Sequence, residues 1–482
     1  MKTSTRILTA VVVVAAGYTA ASWYVGKKAQ AVLQQWVVQA NERLRSTLGP
    51  GADESGARLA ISEYKRHVFS SDVVYTLQMQ DSRGQRVEYL LSDHLQHGPF
   101  PLDALKSGSV APLMASSRAQ LIPSAATQKW FDSLKGQSPV TGTTRIGFTG
   151  KGSSAWRFMP IDLQDGGDSV KFSGGAVDAV FSNSFRDSVV KGAFGGLQYA
   201  SASKRESLDV QGITLASTAT ATDNGAQEVK TSSQAAADKF ILQSGEGVPV
   251  QLDKAGLSLD SVQRNQHMDL TLQYKLGAIR VGETGFGSVE ASFRGRNLDL
   301  DALSALAVDY DRIQARHGGA PDEALAITPD EAAVLRDRLW TVLDSKPELA
   351  VDPLVWKNDK GESRLTVSVD LARPADTSAA GDTATLLAQM IKQLDLNVVV
   401  AKPMFIQTFS QLQGGAGQDE RAAMMGAMLF DVYTGRLARA GLVTVDGGNA
   451  AANVRYGDDS VEVNGKKMPV AEFVQRLLSA AM

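Results

Sequence analysis

Five histidines are present, His67, His94, His97, His267 and His317, and Asp93, His94 and His97 form the one group with ligand-like spacing. On a helix, a three-residue separation places two imidazoles on one face, where a metal could be held. Pro99 and Pro101 follow at once and the preceding residues alternate as a strand, so the helical condition fails. A turn that bonds its own backbone is the expected use of this segment. Gly282, Gly285 and Gly287 cluster without dinucleotide spacing, which predicts a turn or bulge. Asp458 and Asp459 sit in a polar turn and are expected to be solvated. Met424, Met425 and Met428 at helical spacing could form an adaptable binding face, but packing into a core is the expected reading.

No phosphate-binding loop, nucleophile elbow, zinc-protease pair or calcium loop is present. The chain has no cysteine, which removes disulfides, thiolate metal sites, a Cys nucleophile and an acylated lipoprotein anchor. No catalytic, cofactor-binding or metal-ligating residue, and no cofactor, is therefore expected. The 49 basic and 52 acidic residues nearly cancel, and no dense basic run is interleaved with aromatics. A nucleic-acid partner is not expected.

The elements around these residues begin with an apolar run. Lys2 and Arg6 precede Ile7 to Val25, and Lys27 and Lys28 close it. At 1.5 Å per residue the run matches a hydrocarbon core of about 30 Å. The alternative is a signal peptide cut near Thr19, Ala20 and Ala21. A retained single-pass anchor is the expectation, since the run continues to Trp23, Tyr24 and Val25. The free amino terminus favours the cytoplasmic side for the N-terminus and the far side for the body. Leu33, Trp36, Val37, Ala40, Leu44 and Leu48 then recur at helical spacing. That amphipathic helix is expected to pack on its own domain; a dimer seam or a membrane-surface helix is the alternative.

Gly49, Pro50 and Gly51 break the helix. Val73, Tyr75, Leu77 and Met79 alternate with polar residues, and Val87 to Leu91 follows across a turn, which predicts an antiparallel hairpin. The alternation returns at Leu270 to Leu276 and Leu365 to Leu371, with shorter cases at Val170 to Phe172, Val289 to Phe293 and Leu396 to Val400. Strands should dominate from about Val140 to Arg296. Helices are expected over Leu298 to Ile313, from the cap Thr328 through Leu343, over Thr383 to Leu394 and over Arg421 to Arg439. The chain should end in a hairpin turning at Asn464 and Gly465, followed by a helix from Pro469 to Ala480.

With 482 residues, two or three folded units should follow the anchor. The expected division is an anchor at 1–28, a helix and hairpin region at 29–135, an antiparallel strand-rich region at 136–297, and a mixed region at 298–482. The fold class is α+β: one transmembrane helix, then a mainly antiparallel body whose sheet could be curled, with helices in the C-terminal half.

Several blocks in order resemble the YdgA-like family of proteobacterial envelope proteins. They are YKRHVFSS at Tyr64 to Ser71, HGPFPLDAL at His97 to Leu105, PLMASSRAQL at Pro112 to Leu121 and TRIGFTG at Thr144 to Gly150. KFSGG at Lys171 to Gly175, DPLVWKNDKGES at Asp352 to Ser363 and NGKKMPVAEFV at Asn464 to Val474 complete the set. The resemblance implies an inner-membrane anchor, a periplasmic body and self-association such as a homodimer, and it supplies no catalytic residue. A tethered, strand-rich body is also similar to AsmA-type envelope proteins, whose curled sheets offer apolar grooves to lipids. A non-enzymatic protein that binds an apolar, lipid-like ligand or an envelope protein partner is the expected function. A periplasmic hydrolase with dispersed acid/base residues and a structural homo-oligomer joined through Ala29 to Leu48 are the alternatives.

Overall fold

The computed structural model describes residues 33–34, 37–38, 40–41, 56–80, 84–98, 100–101, 112–182, 186–223, 227–317, 327–374, 389–413, 419–458 and 460–481. The expected anchor at Ile7 to Val25, the break at Gly49 to Gly51, Pro99 and Asp459 lie outside them. Among the described residues, no helix is long and apolar enough to cross a membrane. The chain forms two compact units, Met1–Thr220 and Ala221–Met482.

The first unit is antiparallel throughout its described pairings. Its strands are β1 Arg58–Arg66, β2 Ser70–Gln80, β3 Arg86–His97, β4 Ala115–Ile122, β5 Val140–Ile146 and β6 Gly152–Phe158. After them come β7 Ile161–Asp165, β8 Asp168–Phe172, β9 Gly175–Ser182, β10 Asp187–Ser201 and β11 Glu206–Asp223, the last of which crosses the boundary between units. A short helix, α1 Gln128–Ser133, separates β4 from β5. Strands β1 to β6 pair in chain order. β9 then joins β6, β10 joins β9, and the β7–β8 hairpin pairs with β10 beyond the end of β9. The expected hairpin is β2–β3, with Val73 opposite Asp93 and Met79 opposite Val87.

One face of this sheet carries Val73, Tyr75, Leu95, Ala115, Ala119 and Leu121, all buried. Residues 33–34, 37–38 and 40–41 are helical, and Leu33 packs on Leu95 and Ala115. Asn41 binds the first strand: its Nδ2 donates to the Leu59 carbonyl at 2.8 Å and its Oδ1 accepts from the Leu59 N–H at 2.8 Å. Both groups of Leu59 thus point away from β2, and the carboxamide satisfies an edge as a neighbouring strand would.

The second unit contains the long strands β12 Gln227–Gln243, β13 Val250–Arg264, β14 His267–Val281 and β15 Thr284–Asp299. Helices α2 Leu300–His317 and α3 Pro329–Asp344 follow, then β16 Glu348–Asn358, β17 Gly361–Leu371 and β18 Ile391–Ala401. Helices α4 Lys402–Gln413 and α5 Asp419–Arg439 precede β19 Thr444–Asp446, β20 Asn449–Gly457, β21 Ser460–Val463 and β22 Lys466–Pro469, and α6 Val470–Ala481 ends the unit. Strands β12 to β18 pair antiparallel in chain order, β20 joins β18, and β21 and β22 extend it.

Strands therefore fill the described residues from Val140 to Arg296, as the period-2 pattern predicts. The Thr328 start is a complete capping box, with the Thr328 side chain accepting from the Glu331 N–H and the Glu331 carboxylate accepting from the Thr328 N–H. Asn464 and Gly465 both have positive φ, 51° and 80°, in the final hairpin. The helix expected over Thr383 to Leu394 is corrected. Gln389 and Met390 are helical, residues 383–388 lie outside the described set, and Ile391 opens β18. Leu386, Leu387, Met390 and Leu394 do have helical spacing, but β18 is a central strand with β17 on one side and β20 on the other. Two ladders outweigh a local period.

Candidate ligand-binding face

Strand geometry settles the histidine cluster first. β3 runs through His97, so the expected turn is a strand, and His94 and His97 point to opposite faces. His97 is buried, with its Nε2 3.3 Å from Ser71 Oγ, which in turn accepts from Tyr64 Oη at 3.1 Å. His94 is exposed, and its Nδ1 lies 2.7 Å from Asp72 Oδ1, while His67 Nε2 lies 3.2 Å from Oδ2. The His94 hydrogen bond, aided by His67, holds the Asp72 carboxyl below its ordinary value. Asp93 is buried on the His97 face, where Ser117 Oγ donates to it at 2.6 Å. Burial pushes the Asp93 carboxyl up and pushes the neighbouring Tyr75 hydroxyl up as well. Ser71 and His97 are sealed from solvent, so this network orders the sheet and has no opening for a substrate.

A cleft of about 540 Å³ in the first unit is crossed by an in-register row, Asp162, Lys171, Gln198 and Asp209. Lys171 pairs with Asp162 at 3.2 Å, and Gln211 Nε2 donates to Asp209 at 2.8 Å. Three inter-strand spacings separate the two carboxylates, roughly 14 Å. Paired carboxylates that cleave a glycosidic bond stand within about 10 Å of each other.

The second unit presents a different surface. Cross-strand partners share a face, and the register places Leu257, Tyr274, Ala291, Leu354, Leu365 and Val398 in one row across β13 to β18. The next row runs Leu259, Leu272, Phe293, Val351, Val367 and Leu396. Tyr274 and Phe293 meet edge to face with ring centroids 5.9 Å apart. The opposite face is polar and laced by ion pairs across strands, Lys275 with Glu290 at 2.6 Å, Arg296 with Glu348 at 3.2 Å and Arg455 with Asp395 at 3.4 Å. Such a division lets an antiparallel sheet keep one face in water.

Among the described residues, the apolar face is buried most deeply at one end. Val461, Val463, Met468 and Leu442 are buried beneath Leu437, Ala440, Phe473 and Ala480 of α5, α6 and the segment that follows α5. Towards β13 the face is half-exposed among the described residues. Tyr274 is 45% exposed, Phe293 40%, Leu257 39% and Leu349 46%, and among the described residues none between Ala202 and Glu290 is buried. Helices instead meet the ends of the strands. Met404 of α4 packs at the Ser363 end of β17, and Gln411 of α4 donates to the Gly285 carbonyl at 3.0 Å. Trp340 and Leu343 of α3 pack with Leu371 and Met390 at the other end of β17. The result is an apolar floor bracketed by helices.

The glycine cluster lies at the rim. Gly282 turns the β14–β15 hairpin at φ 60°, and Gly287 at φ 83° sits where the register shifts between Leu276 and Arg280, as a bulge requires. Any Cβ at Gly287 would overlap the Lys357 carbonyl oxygen. Asp458 also has a positive φ, 49°, in the β20–β21 turn. Met424, Met425 and Met428 correct the expectation of core packing, since all three face outward from α5. The alternations at 270–276, 289–293 and 365–371 gave three strands of the floor. β16 was missed, although Leu349, Val351, Leu354 and Trp356 all contribute to it.

A family model of bacterial proteins of unknown function, DUF945, matches residues 1–471. Protein YdgA of Escherichia coli is 26% identical over 493 residues, covering 96% of this chain and 94% of that protein. The uncharacterised protein YihF of the same organism is 24% identical and covers 98% of each chain. An uncharacterised Haemophilus influenzae protein is 28% identical over 140 residues, 29% of this chain and 37% of its own length. No solved structure matches the chain. A match along nearly the whole length, through strands, helices and the apolar floor alike, makes this chain a member of the DUF945 family.

Proposed function

We propose that this protein is an inner-membrane-tethered envelope protein whose second unit binds an apolar, acyl-chain-like ligand on the open floor of β13 to β17. Ile7 to Val25 is the tether and the body lies on the periplasmic side. The observation that carries the reading is the half-exposed patch of Leu257, Tyr274, Phe293 and Leu349, spread over neighbouring rows of a sheet whose other face is polar. Contiguous apolar surface of this kind marks a binding site in a stable protein. Its floor carries no charged group in the two central rows, which suits a hydrocarbon chain better than a polar substrate.

Hydrolysis is disfavoured by the separation of Asp162 and Asp209, and by the sealed Ser71–His97 pair. A dimer seam through Ala29 to Leu48 is disfavoured by Leu33 and Asn41, which are engaged within their own unit. The test compares lipid that co-purifies with the full chain and with Leu272→Asp, measured by mass spectrometry beside a thermal melt. Both proteins keep the tether, so annular lipid cancels. A several-fold loss of bound lipid with the melt preserved is expected. Equal lipid in the two proteins would overturn the proposal.

A further inference from the structure

Among the described residues, helix α5 is seated by one side only. Ala422, Gly426 and Phe430 are buried, with Gly426 against the Phe409 ring and Phe430 5.5 Å from Phe405, both on α4. Lys402 clamps Asp431 at 2.6 Å. The other side carries Met424, Met425, Met428 and Val432, which are 74%, 50%, 59% and 44% exposed. At 3.6 residues per turn these fall on one stripe with Arg421, Gly435 and Arg439, and Arg436 borders it. The stripe is therefore apolar at its centre and cationic at both ends. Leu412 at the end of α4 is also 71% exposed. Arg476 of α6 donates to the Ala440 carbonyl just beyond α5, and α6 leaves Val474, Leu477 and Leu478 outward.

We infer that the outward face of α5 is a contact surface for a lipid bilayer carrying anionic headgroups. Charge selects the occupant. Three arginines at the rim of an apolar stripe can bury their stems and keep their guanidinium groups at phosphate level. Antiparallel self-pairing of α5 would instead bring Arg421 of one copy against Arg436 and Arg439 of the other. Two carboxylates, Glu420 and Asp431, adjoin the stripe on one side, off its centre, and Asp431 is already neutralised by Lys402. The unbranched methionines adapt to a fluid surface. This contact is separate from the sheet floor, and Leu272→Asp should leave it unchanged.

The chain has no native cysteine, so Met428→Cys carries a single environment-sensitive fluorophore on the full-length protein. The labelled protein is reconstituted into vesicles of phosphatidylcholine alone and of phosphatidylcholine with phosphatidylglycerol, with and without a lipid-borne quencher. Blue-shifted emission, quenched by the lipid at least about fivefold more strongly with phosphatidylglycerol, is the expected result. High salt and the triple variant R421Q/R436Q/R439Q should both reverse it. Water-like emission in both vesicles would overturn the inference. So would a blue shift that lipid does not quench and that grows with protein density, since a second copy would then cover the stripe.

Discussion

At the residue scale, two carboxyls make opposite demands on pH. Burial raises the Asp93 carboxyl above its ordinary value of 3.8. Folding therefore favours its neutral form, so its contribution to stability is greatest below that value and falls as pH rises through the raised one. Asp93→Asn keeps an acceptor for Ser117 and removes the charge. The variant should melt higher than the unmodified protein at pH 7, with the difference vanishing near pH 3. Glu331 has the reverse sign. The Thr328 backbone N–H, His317 and the Thr328 hydroxyl lower its carboxyl to about 2 from 4.5. Its contribution is present above 4.5 and is lost as pH falls through about 2. Glu331→Ala should lower the urea midpoint at pH 7 and converge with the unmodified protein near pH 2. Urea melts of both variants across this range check the two slopes together, and like-signed slopes would refute the assignment.

At the element scale, sequence periods were legible where a strand or helix keeps one period without interruption. The Val73 to Met79 hairpin, the Leu270 to Leu276 and Leu365 to Leu371 strands, the Thr328 cap and the Asn464–Gly465 turn all have this property. β16 does not. Leu349 and Val351 alternate, then Asp352 and Pro353 intervene and the floor resumes at Leu354 and Trp356, so the parity changes inside one strand. The start of β18 failed for another reason, because its local spacing is helical and only its two neighbouring strands decide it. The methionines of α5 were unreadable in principle. Spacing places them on one face and cannot say whether that face meets a sheet or water. Gly287 tests the bulge. Alanine there would need a positive φ and would strike the Lys357 carbonyl, so Gly287→Ala should cost more than about 1 kcal/mol and lower the melt of the second unit. Gly285→Ala meets no atom within 4 Å and is the matched control, with a change of about 0.5 kcal/mol or less.

At the scale of the whole molecule, the second unit has one buried cluster beneath its C-terminal helices and another where α3 meets the end of β17. Val463 is fully buried beneath the C-terminal helices, whereas Leu272, on the same apolar face, is half-buried. A carboxylate at position 463 would be desolvated without a partner, at a cost of several kcal/mol. That is a large share of the 5–15 kcal/mol typical of a folded protein, so Val463→Asp should abolish the cooperative melt of the second unit. At position 272 the carboxylate can keep much of its hydration, and the cost should stay near the 1 kcal/mol of an ordinary substitution. Ladder hydrogen bonds and the ion pairs on the polar face are untouched by either change. Thermal melts followed by circular dichroism and by hydrogen exchange at β14 and β21 separate the two cases. If Leu272→Asp abolished the transition as Val463→Asp does, the floor would be a closed core, and both the ligand proposal and its open entrance would fall together.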